Sequence, residues 1–111
     1  MPERFKAIPA VYLFLEQDDK ILLLKRANTG YMDGWYGVPA GHHDGGESIK
    51  EAMCREAREE AGITVKPEDL IFVHVMHRLA NDGERIDFYF KTKSYTGEIT
   101  NMEPERCSEL A

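Results

Sequence analysis

The sequence predicts a mixed α+β domain, rich in sheet and built around one central helix. Three features carry that reading. Residues 48–61 are the one segment with helix signals at both ends. On each side of it lie two apolar runs joined by polar turn residues, the pattern of a β-hairpin. A chain of 111 residues with 42% hydrophobic and 31% charged side chains suits one globular domain with one modest core.

Taken in order, residues 6–16 (KAIPAVYLFLE) are mostly apolar with β-branched and aromatic members and read as a strand, with Pro9 at a strand start or a sheet edge. Residues 17–20 (QDDK) supply a turn, and 21–26 (ILLLKR) a second strand that completes a hairpin. Residues 27–34 (ANTGYMDG) read as loop, 35–39 (WYGVP) as a short strand ended by proline, and 40–46 (AGHHDGG) as a glycine-rich loop. Ser48 caps the helix, Glu51 three residues on completes a capping box, and Gly62 is the stop. After it come a strand at 68–79, a turn at 80–84 and a returning strand at 85–95. In the returning strand Ile86, Phe88 and Phe90 alternate with Asp87, Tyr89 and Lys91, so one face is expected in the core and the other polar. Residues 96–111 begin in a turn and read as irregular. There is no internal repeat, low-complexity segment or linker.

The net charge of −6 argues against a nucleic-acid polymer as partner, which calls for a basic face, and fits an anionic ligand only where a cation intervenes. No apolar run approaches the roughly 20 residues that span a bilayer. The opening MPERFKAIPA lacks the apolar core of a secretory signal. Cys54 and Cys107 stand far apart and in no metal spacing, so plain reduced thiols and a cytoplasmic protein are expected.

The helix raises an electrostatic question. On a wheel of about 100° per residue with Ile49 at the origin, Ala52, Ile49, Met53, Ala57 and Ala61 form one apolar stripe. Glu56 falls at about 340°, Glu60 at about 20° and Glu59 at about 280°, on or beside that stripe. Glu51, Arg55 and Arg58 take the solvent face. Partly buried carboxylates are costly unless paired or neutralised. Here they also lie near the helix C-terminus, where the macrodipole disfavours negative charge. Crowding could raise their pKa values, or a hard divalent cation could bind them through oxygen. The wheel alone also leaves open a solvated, glutamate-rich face with Arg55 and Glu59 as an i,i+4 pair.

Residues 41–63 extend the pattern. Gly41, five residues, Glu47, seven residues, then Arg55-Glu56-Ala57-Arg58-Glu59-Glu60-Ala61-Gly62-Ile63 fit G-x5-E-x7-R-E-U-x-E-E-x-G-U, where U is aliphatic and Ala57 its weakest member. This is the Nudix box, and the chain resembles the MutT-like branch of the Nudix hydrolases over roughly residues 6–107, with Trp35 and Pro39-Ala40-Gly41 as the lead-in. The resemblance implies an α/β/α sandwich around a mixed sheet, with the box as a loop–helix–loop. It also implies Mg²⁺-dependent (or Mn²⁺-dependent) hydrolysis of a nucleoside diphosphate linked to another group. MutT-like members cleave nucleoside triphosphates; ADP-ribose or nucleotide-sugar hydrolysis and nucleotide binding without turnover are the alternatives.

Carried over by position, Glu56, Glu59 and Glu60 are the implied metal ligands, Glu56 also a water-activating base, and the Ala40 carbonyl a further ligand. Arg55 and Glu47 are implied orienting partners. In NMEPERC, residues 101–107, Glu103 is the loop acid expected to reach the metal, with Glu105 second. Arg26, Gly41, His42, Trp35 and Tyr89 are the candidate substrate contacts. Against these stand blander readings: a surface arginine, a packed core tryptophan, an exposed loop histidine, and Tyr89 with Asp87 simply on a polar strand face. His74 and His77 are read as structural. MutT-like domains usually continue with a strand near a Trp-Phe pair and a C-terminal helix. Residues 1–111 are therefore expected to form a single domain shortened at its C-terminus, with an exposed apolar sheet face that favours a homodimer.

Overall fold

The computed structural model describes residues 4–18, 20–29, 33–80 and 83–110. The turns expected at 17–20, 27–34 and 80–84 lie partly outside the described residues. The first strand, β1 (Ile8–Gln17), organises the larger sheet. On one side it runs parallel to β7 (Gly83–Thr92), with Val11 opposite Phe88 and Leu13 opposite Phe90. On the other side β2 (Lys20–Ile21) pairs antiparallel with its end and β5 (Ala40–His42) antiparallel with its beginning. β6 (Ile71–Ala80) lies antiparallel outside β7 and closes the sheet as an edge. A smaller sheet sets β3 (Leu24–Arg26) between β4 (Tyr36–Gly37) and β8 (Cys107–Leu110).

Three sequence expectations change here. The hairpin of 6–16 with 21–26 pairs only at its tip, Glu16 opposite Ile21, before the chain passes through buried Leu22 into the smaller sheet. The rest of that edge of β1 is taken by residues 39–42: Leu13 N–H donates to the Pro39 carbonyl at 2.9 Å, and Val11 stands opposite Gly41. The stretch expected to be a glycine loop is thus partly strand. Third, the irregular C-terminal segment contains β8, which borrows its order from β3 through Arg26 opposite Cys107.

Pro67–Asp69 form a short 3-10 helix with Pro67 at its start, so the strand expected at 68–79 begins only at Ile71. The single described α-helix, α1 (Ile49–Ala61), begins and ends as the sequence signals. Ser48 Oγ accepts the Glu51 N–H at 3.1 Å while Glu51 Oε1 accepts the Ser48 N–H at 2.8 Å. Gly62 adopts the left-handed conformation at φ 70° and donates to the Arg58 carbonyl. Ala52, Met53, Ala57 and Ala61 are buried against Val11, Leu13, Leu15 and Phe90, with Ile63, Val65 and Leu70 filling the end of the helix. The alanines let the helix lie close to the sheet, and Ile49 packs at the margin. Among the described residues, helix covers only this face of the larger sheet, so one outer layer of the expected sandwich is represented.

β7 departs from its predicted alternation. Asp87, expected on a polar outer face, is fully buried, while Ile86 and Phe88 are only partly so. The cause is a polar cluster on the face away from α1: Arg78 Nε donates to Asp87 Oδ2 at 2.8 Å, and the Tyr12 and Tyr89 rings stack at 4.7 Å beside it.

Candidate active site

The C-terminal half of α1, the Ala40–His42 strand, β3 and the loop before β8 enclose a cavity of about 560 Å³. Its lining carries both charges: Glu56, Glu59, Glu60 and Glu103 with Lys25, Arg26 and Arg106. Two backbone bonds bring Glu103 there: Thr100 N–H donates to the Ala61 carbonyl at 2.8 Å and Met102 N–H to the Glu60 carbonyl at 3.2 Å. The same bonds satisfy carbonyls that the helix end leaves open. Asn101 Oδ1 then accepts the Glu103 N–H at 3.1 Å, fixing the turn.

Glu60 is the most deeply set acid. Ala40 N–H donates to its Oε2 at 3.0 Å, yet desolvation dominates and pushes its pKa up to about 8, with Glu56 and Glu103 adding repulsion. Burial also raises the Glu56 carboxyl, against the pull of Arg55. Glu59 differs: its side chain is 52% exposed, so the inward position expected from the wheel holds for Glu56 and Glu60 and not for Glu59.

Arg55 corrects the wheel as well. It was expected on the solvent face, but its side chain is only 19% exposed and folds back into the acids. Its guanidinium reaches Glu47 at 2.9 Å, Glu56 at 2.8 Å, Asp44 at 3.2 Å and Glu59 at 3.3 Å, and donates to the His42 carbonyl at 3.1 Å. The i,i+4 pair of the blander reading therefore exists, as one arm of a larger hub. Glu47 is held below the usual carboxylate range by its Arg55 hydrogen bonds, and Arg55 is raised further above its own. One fixed cation thus ties the loop at Asp44 and Glu47 to the helix at Glu56.

Gly41 leaves room for the Glu56 side chain in its present position. A Cβ there would overlap the Glu56 carboxylate. The backbone passes that close because β5 must pair with β1 while Glu56 points into the same cavity.

The donor set suits a hard divalent cation: oxygen ligands only, two of them with pKa values raised by burial, whose ionised forms a cation would stabilise. The acids are turned toward protein partners in this structure. Among the described residues, no group of three or more His, Cys, Asp or Glu has ready-made metal geometry.

The other expected residues divide. Arg26 and Gly41 line the cavity, as does His42, whose ring nitrogen contacts Arg85 on the far face of the sheet. Ala40 engages Glu60 through its N–H. Glu105 is exposed and outside the cavity. Trp35, for which a core position was the stronger expectation, is 64% exposed and lies off the cavity wall. Tyr89 stands on the opposite face of the sheet, stacked on Tyr12. His77 bonds Glu84 at 2.8 Å and His74 lies against Tyr89, both away from the cavity. Cys54 is a free thiol. Lys25, Arg106 and Asp44 were missed. Each owes its place to a tertiary neighbour, β8 against β3 or the Arg55 hub, and no local pattern marks it.

Comparison with known proteins gives one family. The NUDIX domain model matches residues 6–111. The chain is 40% identical to an ADP-ribose pyrophosphatase from Methanocaldococcus jannaschii over 104 residues, 92% of this chain and 61% of that protein. It is 36% identical over 96 residues to the uncharacterised Nudix hydrolase YvcI of Bacillus subtilis, spanning 82% of this chain and 57% of that one. It is 43% identical over 61 residues to the human 8-oxo-dGDP phosphatase NUDT18, 55% of this chain but 19% of that protein. The chain thus spans less than two thirds of the length of these relatives. In three dimensions it resembles the crystal structure of a MutT Nudix hydrolase from Burkholderia pseudomallei, with a TM-score of 0.86 and 27% identity over 96% of this chain and 82% of that one.

Proposed function

The chain belongs to the Nudix hydrolase family, and we propose that it cleaves a pyrophosphate bond in a nucleoside triphosphate or a related nucleoside diphosphate-X compound, using Mg²⁺ or Mn²⁺. The observation that carries this reading is one cavity lined by both acids and bases. Its four glutamates suit a divalent cation, and Lys25, Arg26 and Arg106 suit phosphate oxygens. Its volume of about 560 Å³ falls in the usual range for small-molecule sites.

Glu56, Glu59 and Glu60, with Glu103 from the loop, would hold the cation. When bound, it neutralises phosphate charge and lowers the pKa of a coordinated water. The protein's own residues supply the rest. Arg26, Lys25 and Arg106 receive the phosphate chain and orient it beside the acids. Glu56 is a fitting base, because burial raises its proton affinity while Arg55 keeps it in one position. Glu47 in turn restrains Arg55. No nucleophilic side chain is required, since phosphoryl transfer to water depends on positioning and charge.

A second substrate reading, ADP-ribose, is favoured by the 40% identity to the archaeal ADP-ribose pyrophosphatase across most of this chain. A domain that binds nucleotide without turnover fits less well, because it has no need of four acids in one cavity.

The test is a turnover screen with Mg²⁺ and Mn²⁺ over nucleoside triphosphates, oxidised nucleotides, ADP-ribose and nucleotide sugars, with a Glu59→Gln protein alongside. Hydrolysis that needs the cation and drops at least about 100-fold in the variant is expected. No hydrolysis of any substrate, or an unaffected variant, rejects the proposal.

A further inference from the structure

We propose that Asn101 is a positioning residue. Its carboxamide closes the neck of the 101–107 loop and so sets Glu103 and Arg106 in the cavity together, a role that rests on the pyrophosphate-cleaving reading of that cavity. Both side chains line it, three residues apart and opposite in charge, while Asn101 itself is off its wall. Between them lies one tight turn. Arg106 N–H and Cys107 N–H both donate to the Glu103 carbonyl, at 2.9 and 2.8 Å. Pro104 takes the second place of that turn, where its fixed φ is favoured and no N–H is needed. Two backbone bonds do not by themselves offset the entropy of ordering so short a segment.

Asn101 supplies ties at both ends. Its Oδ1 accepts the Glu103 N–H at 3.1 Å, and its Nδ2 donates to the Cys107 carbonyl at 2.6 Å. One planar amide thus joins the residue that enters the turn to the residue that begins β8. The residue type follows from the two partners. An ionised aspartate only accepts, and serine has one oxygen for two partners. Asparagine offers a donor and an acceptor on one short, stiff arm.

The tie reaches beyond the loop. Cys107 is buried and stands opposite Arg26 in the β3–β8 ladder. Ahead of it, Asn28 Nδ2 donates to the Glu105 carbonyl at 3.0 Å, and Ala27 N–H donates to the Arg106 carbonyl at 2.8 Å. The acid end of the loop is therefore fixed to the helix through Thr100 and Met102, and the basic end to β3. Asn101 links these two anchored ends to each other. The spacing of Glu103 and Arg106, and with it the spacing of a cation and the phosphate beside it, depends on that link. Asn101 acts through these two side chains and not on the reacting atoms.

The experiment measures Mn²⁺ binding to the substrate-free full chain by electron paramagnetic resonance. It also measures kcat and KM at saturating Mg²⁺, for the nucleotide turned over fastest in the screen. The proteins are the unmodified chain, Asn101→Ala, Asn101→Asp, Glu103→Gln and the Asn101→Ala/Glu103→Gln pair. Asn101→Ala loses both bonds, so Kd for Mn²⁺ and KM should each rise at least about fivefold, with kcat falling less than KM rises. Asn101→Asp keeps the Glu103 bond and loses the Cys107 bond, so KM should rise with no weakening of Mn²⁺ binding. In the Glu103→Gln protein, adding Asn101→Ala should move Kd for Mn²⁺ less than about twofold, because the acid it positions is gone. An unchanged Kd in Asn101→Ala, effects of the two substitutions that simply add, or an Asn101→Asp protein with the parental KM overturns the role. Asn101→Asp decides if Asn101→Ala does not fold. A chain that binds Mn²⁺ and hydrolyses no substrate rejects the reaction, and the Mn²⁺ cycle then still accepts or rejects the role.

Discussion

Replacing Glu60 by glutamine should stabilise the cation-free protein while destroying its activity. In an unfolded chain a glutamate titrates near about 4.3; burial at this site moves that to about 8. The folded state therefore holds a proton that the unfolded state has released. The sign follows: this contribution is complete below about pH 4 and disappears as pH rises through about 8. At pH 8 the full difference between the two states is about 5 kcal/mol. Water entry and side-chain relaxation reduce the expected effect to about 2 kcal/mol. Glutamine keeps an oxygen for the Ala40 N–H and never ionises, so the variant escapes the penalty. For a chain of this size that is about 8 °C in melting temperature. The assay is thermal denaturation by circular dichroism in EDTA from pH 5 to pH 8.5. The gap between variant and parent should be small at pH 5 and widest at pH 8. Adding Mg²⁺ should then raise the parent and leave the variant little changed. A gap that does not grow with pH would show that Glu60 is not a buried acid awaiting a counter-charge.

Gly41→Ala displaces the Glu56 carboxylate; at least a tenfold fall in kcat is expected, with a change in urea unfolding below about 1 kcal/mol because the end of the Glu56 side chain can move. Arg55→Met leaves Asp44, Glu47, Glu56 and Glu59 facing one another. Because Glu47 is held low by Arg55, the stability lost is present at neutral pH and vanishes as pH falls below the carboxylate range, which melting curves at pH 7 and pH 3.5 compare. Ser48→Ala removes the capping box for about 1 kcal/mol and should leave kcat unchanged, separating helix stability from chemistry.

The helix was fully legible because everything that defines it is local. Ser48, Glu51 and Gly62 act on neighbours within four residues, and the alanine stripe shows its own period. Strand pairing was legible only where a turn enforces it, as for β6 with β7. The parallel partnership of β1 and β7 joins residues 77 positions apart, and β5 takes an edge of β1 that a hairpin reading assigns to residues 21–26. No local propensity encodes which strand wins an edge. Asp87 fails for a related reason: alternation gives the face of a strand, and burial depends on what Arg78 and Tyr12 lay over it.

At the site, the spacing of Glu56, Glu59 and Glu60 announced oxygen-ligand chemistry, but the wheel treats every side chain as radial. Arg55 is long enough to leave the solvent side and reach four acids, and in doing so it determines which of them faces the cavity. For Glu60, desolvation outweighs the Ala40 N–H and the pull of Arg26, hence its raised pKa. Glu59 keeps one foot in solvent. The three glutamates of one motif therefore enter any cation complex from different starting states: one nearly protonated, one shared with a guanidinium and one hydrated. Binding must remove a proton from Glu60, so affinity for the cation should rise with pH between about 6 and 8. That slope, measured by titration at fixed ionic strength, distinguishes this arrangement from a preformed cage of three ionised carboxylates, whose affinity would be flat over the same interval.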